Sequence, residues 1–173
     1  MQIKASRMQG FSLIELLVAV VIMAVGILGV AGLQVVSMQQ NRSAMYRGEA
    51  TQLANDILDR MRVNQSILYT SLLTDAPTAT KDCEVNTCTP AEMAAYDIAQ
   101  WKCAINSKNS SGADIAACTA YIGGDGDTAG IVGQLPDGAG SIAVNGQTYT
   151  VTVQWVDDHS GTTASVVVEA QVN

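Results

Sequence analysis

The sequence predicts an α+β protein. One long N-terminal helix, with a first half able to cross a membrane, packs through its second half on a small C-terminal antiparallel sheet. Three observations predict this. Residues 16–33, LLVAVVIMAVGILGVAGL, run for eighteen positions without a charge. Between Tyr46 and Met61 apolar residues recur at steps of three and four, the period of an amphipathic helix. From residue 141 onward, short runs alternate apolar and polar residues between turn signals, as strands do.

The uncharged run has the length of a membrane-spanning helix. Lys4, Arg7 and the terminal amine precede it, whereas Arg42 and Arg47 against Glu49 follow it; this asymmetry places the N-terminus in the cytoplasm. One carboxylate, Glu15, interrupts the apolar region near its start. At the centre of a bilayer such a group costs roughly 2.5–3.5 kcal/mol, and a turn inside the helix it costs less but not nothing. A secretory signal cut near GVAG (29–32) and a plain single-pass anchor are the alternatives; the first needs an unusually long apolar region, and neither uses Glu15. Gly26, Gly29 and Gly32 recur every third residue and cost about 1 kcal/mol each in helix propensity. They read either as close-packing positions or as weak points where the helix bends or melts.

The helical pattern continues through QNRSAMYRGEATQLANDILDRMRVNQ, with Tyr46, Ala50, Leu53, Ile57 and Met61 on one stripe. Asp56 with Arg60 and Asp59 with Arg62 are spaced to pair on its surface. A helix from about Phe11 to Asn64 spans about 80 Å at 1.5 Å per residue. Its first half suits lipid or a filament core and its second suits a globular head.

Residues 65–89 read as loop. TPAEMAAYDIAQWKCAINSK then opens a second helix over about 90–107, with Thr89 as N-cap, Pro90 at the first position and Glu92 completing a capping box. Met93, Tyr96, Ala99 or Gln100, and Cys103 follow its period, with Trp101 packing nearby. Residues 106–140 are rich in Gly and Ser and read as irregular. Antiparallel strands follow over about 141–172. Asn145-Gly146 signals a two-residue hairpin. Tyr149, Val151, Val153 and Trp155 share one face, and Ala164, Val166, Val168, Ala170 and Val172 repeat the alternation. This apolar face is expected to cover the stripe of the first helix.

The four cysteines, Cys83, Cys88, Cys103 and Cys118, lack the close pairs of zinc sites. An even count behind an export-like N-terminus indicates disulfides in an oxidising compartment. Three connectivities are open; Cys83–Cys88 with Cys103–Cys118 needs the least rearrangement of the intervening helix. From Gln65 onward three lysines face twelve acidic residues, a balance of −9, which repels phosphate backbones and argues against nucleic acid. Asp125 and Asp127 in GGDGDTAG open like a calcium loop, but Ala129 and Pro136 stand where ligands would follow. His159 between Asp158 and Ser160 is a turn histidine, since sequence neighbours do not converge as a triad does. No phosphate-binding or dinucleotide motif occurs. No enzyme activity, metal or cofactor is expected.

The stretch GFSLIE, residues 10–15, resembles the class III signal of type IV pilins and pseudopilins. The resemblance implies that a prepilin peptidase cuts after Gly10 and methylates the new amine of Phe11. Glu15 becomes the fifth mature residue and aligns subunits by pairing with a neighbour's amine. Gln9 stands where the family often has Lys or Arg, and Gly32 stands at the mature position where major pilins generally carry proline. LIELLVAVVIMAVGILGVAGLQ, ANDILDRMRVNQ, CTPAEMAAYDIAQWK and QLPDGAGSIAVNGQTYTVTVQW together resemble PilV-type minor pilins.

That resemblance implies four parts: a leader over 1–10, a membrane and filament-core half over 11–36, an amphipathic half over 37–64, and a periplasmic head over 65–173. It further implies a low-copy subunit held in the inner membrane and then in the pilus, at its tip. Its partners would be the prepilin peptidase, other minor pilins, the major pilin and a tip adhesin, and its roles assembly priming, twitching motility and adhesion. A minor pseudopilin of a type II secretion system, and a periplasmic binding domain freed by ordinary signal cleavage, are the rival readings.

Overall fold

Helix α1 runs unbroken from Leu13 to Val63, 51 residues. The structure is a computed structural model describing residues 11–79, 81–109, 111–119, the backbone of 120, 133, 135–157 and 161–172. The chain divides into two compact units, Met1–Asn41 and Arg42–Asn173.

In the first unit the helix continues through Gly26, Gly29 and Gly32, and a Cβ at any of these meets nothing within 4 Å. An 18-residue window here reaches a mean hydropathy of 2.8, with none of it buried.

The second unit is built around the rest of α1. Ala50, Leu53, Ala54, Ile57, Leu58 and Met61 are buried, and Tyr46 packs against them half-buried. Ala54 and Leu58 widen the stripe that the sequence indicated, because two elements cover this stretch rather than one. Helix α2, Pro90–Ile105, is one; strands β1 (Ala139–Asn145), β2 (Thr148–Asp157) and β3 (Thr162–Gln171) form the other. The sheet is antiparallel, ordered β1-β2-β3. Tyr149, Val151, Val153 and Trp155 of β2 join Leu53, Ile57 and Met61 in a single core.

Local chemistry explains the element ends. Thr89 Oγ1 accepts the Glu92 amide at 3.3 Å while the Thr89 amide donates to Glu92 Oε2 at 2.7 Å, so the box caps α2 from both sides. These bonds from Thr89, backbone first, hold the Glu92 carboxyl below its usual range. The hairpin turn is shifted by one residue from the Asn145-Gly146 signal. Asn145 pairs with Thr148, so Gly146 and Gln147 are the central residues. Gly146 takes φ +63°, which suits Gly at the first central position of a type II′ turn.

Helix α2 is anchored by Trp101 and Ile105, both fully buried, whereas Met93, on its expected period, is half-buried. The Trp101 indole Nε1–H donates to the Leu53 carbonyl at 2.9 Å. Opposite the indole lies Gly140, where a Cβ would stand 2.5 Å from Trp101 Cη2 and from Ile105 Cδ1. Gly140→Ala is therefore expected to destabilise the head by about 1–3 kcal/mol through overpacking, read as a lower denaturation midpoint of the full chain in detergent.

Two further features depart from the sequence reading. Residues 106–140 are not wholly irregular: α3, Ala116–Ala120, forms one short helical piece. Lys102, counted among the surface cations, is only 6% exposed. Its Nζ donates to the carbonyls of Leu72 at 2.6 Å and Asp75 at 2.7 Å, which ties the 72–75 loop to α2. Burial lowers the Lys102 ammonium from its ordinary value.

Candidate functional site

The N-terminal turn of α1 carries the one acid of the apolar segment. The Ser12 carbonyl accepts the amides of Glu15 at 3.1 Å and Leu16 at 3.2 Å. Glu15 is thus in the first helical turn, where free amides and the helix dipole favour a negative charge. Among the described residues it has no ion-pair partner. Phe11 is 83% exposed, and Leu13, Ile14, Leu16 and Leu17 around Glu15 are exposed as well. In water this surface is unfavourable at roughly 25 cal/mol per Å² of apolar area, so it is built for lipid or for other apolar helices. Where an apolar layer excludes water, pairing with a cation stabilises such an acid. Gly10 lies outside the described residues, as do Lys4 and Arg7.

The head is held to its part of α1 by a polar network of which the sequence indicated only the Asp56–Arg60 pair. Arg60 donates to Asp56 (3.0 Å), Asp97 (3.2 Å) and Gln100 (2.6 Å). Tyr69 Oη donates to the other Asp97 oxygen at 2.7 Å, and Asn64 Nδ2 donates to Tyr69 Oη at 3.1 Å and to the Pro90 carbonyl at 2.8 Å. Gln100 Nε2 extends the chain to Tyr96 Oη (3.1 Å) and Glu84 (2.8 Å). A signal was present: Asp97 and Gln100 sit on the buried face of α2 beside Trp101, and buried polar residues demand partners. Arg62 pairs with Asp59 on the exposed side.

Burial, reinforced by Asp97 for Tyr69 and by Glu84 for Tyr96, pushes both phenols above their ordinary 10.0. A raised value means the stabilisation is complete below the unfolded pKa and is lost as pH climbs through the folded one. An alkaline titration is therefore expected to ionise Tyr69 and Tyr96 above pH 10.0, together with loss of the folded circular-dichroism signal. Tyr69→Phe should remove one of these two late tyrosinates.

The structure bonds Cys83 to Cys88 and Cys103 to Cys118, with Cα separations of 5.6 and 5.4 Å. The first closes the loop bearing Glu84. The second joins α2 to α3, and a loop of its length is worth about 3 kcal/mol in the chain-entropy model. Asp125, Asp127 and His159 lie outside the described residues.

Two family models match the chain. Residues 5–31 match the prokaryotic N-terminal methylation motif, and residues 32–99 match the Tt1218-like family, described as type IV pilin Tt1218. The two stretches adjoin and run from residue 5 through α1 into α2. Neither the curated proteins nor the solved structures gave a match. The matches support the type IV pilin superfamily.

Proposed function

We propose that this chain, with its type IV pilin region and N-terminal methylation motif, is a PilV-type minor pilin. The motif implies processing by a prepilin peptidase and assembly with other pilins. In our reading the cut falls between Gly10 and Phe11, and Phe11 receives the methyl group. The apolar half of α1 first anchors the subunit in the inner membrane, with the head in the periplasm. It then moves into the filament core, with Glu15 against a neighbour's amine. The observation that carries the reading is the exposed run of α1 over residues 16–33, which has no charge, with one acid, Glu15, in the helix's first turn. Gly32, in place of the proline general among major pilins, favours a low-copy subunit that primes assembly at the tip beside other minor pilins and an adhesin.

Deleting the gene tests the assignment. Loss of twitching motility and surface pili with protein secretion intact is the expected result. Loss of secretion with motility intact would instead assign the chain to a type II secretion pseudopilus.

A further inference from the structure

The sheet has two outer edges, and among the described residues a backbone bridge meets one of them. On β1, the Ser71 amide donates to the Ile142 carbonyl at 3.0 Å and the Ile142 amide returns a bond to Ser71 at 2.8 Å. Along β3, residues Thr163 to Gln171 receive no such bond on their outer side among the described residues. The two-residue turn fixes which groups face outward. Asn145 and Thr148 close it, so Tyr149, Val151, Val153 and Trp155 of β2 bond toward β3, through Ala170, Val168, Val166 and Ala164. The outward amides and carbonyls of β3 therefore belong to Thr163, Ser165, Val167, Glu169 and Gln171. The same parity turns Ile142 outward on β1, where it meets Ser71.

Natural edge strands are blunted by lysine, proline, bulges or short length. Strand β3 has ten residues, TTASVVVEAQ, with one charge and no proline. Its core-facing Ala164, Val166, Val168 and Ala170 are only half-buried, whereas Val151 and Val153 on β2 are fully covered. The apolar layer thus reaches an edge beyond which no further strand follows among the described residues.

We propose that the β3 edge accepts an extended strand from a different polypeptide, neutral to basic, with β-branched residues at alternate positions and a cation beside Glu169. The backbone ladder selects an extended segment, and alternate side chains set its identity. Charge selects against a second copy: each carries −9 from Gln65 onward, and an edge-to-edge pair brings these surfaces within a Debye length of about 8–10 Å. The inference stands on strand geometry and holds for either filament assignment.

The test uses the full chain in detergent micelles, the peptide KTVTVTVK as probe, and amide hydrogen exchange as readout. The expected result is exchange slowed at least about tenfold at Thr163, Ser165, Val167, Glu169 and Gln171 at saturating peptide. The peptide ETVTVTVE should bind at least about tenfold more weakly, a difference of 1.4 kcal/mol. Val167→Pro removes an outward amide without touching the β2 ladder and should abolish the protection. Val167→Lys, a gentler change, should weaken capture of the basic peptide. No protection at millimolar peptide would overturn the proposal, and so would protection that rises with protein concentration alone.

Discussion

A Glu15→Ala variant is expected to be processed and inserted normally but to enter filaments at least about tenfold less than the parent. The size follows from charge pairing in a poorly solvated layer. Removing one partner of a buried ion pair costs about 3–5 kcal/mol, because the remaining charge keeps its desolvation penalty. Tenfold corresponds to 1.4 kcal/mol, so even substantial residual hydration leaves that loss. Comparing immunoblots of sheared fibres with membrane fractions measures it. Glu15→Gln, which keeps size and hydrogen bonding but not charge, should fail nearly as badly. Parent-level incorporation of Glu15→Ala would refute an alignment role for Glu15.

The second large effect lies in the head. Trp101 is fully buried between α1 and the sheet, and its indole bond to Leu53 fixes α2 on α1. Trp101→Ala should cost about 3–5 kcal/mol through lost contacts and an unfilled cavity. For a head of this size that lowers the melting temperature by roughly 10 °C or more. Trp101→Phe, which restores most of the volume, should recover much of the loss. A thermal melt of the full chain in detergent, followed by circular dichroism, reads both.

The elements legible in the sequence were those set by local chemistry. The α1 stripe, the capping box at Thr89 and the alternation of β2 depend on neighbours in sequence, and their periods identify them. What escaped depends on distant partners. Tyr69 lies in a stretch read as loop, yet it is fully buried because Asp97, on another element, accepts its hydroxyl. Lys102 reads as a solvated cation until the Leu72 and Asp75 carbonyls are brought beside it. Helix α3 has five residues and no periodicity to betray it; Cys118 ties it to α2. Asn145-Gly146-Gln147 permits either of two turn registers, and the strand pairing selects the later one.

Glu15 was visible as an anomaly of composition. Its partner was not, because in the proposed filament the amine belongs to another molecule.

Intact-mass and N-terminal peptide spectrometry of the protein purified from membranes and from sheared fibres tests the central claim most directly. A mature chain beginning at Phe11 with one added methyl group, and keeping all of α1, is the predicted result. A soluble head beginning beyond Gly32, with the apolar helix removed, would contradict it.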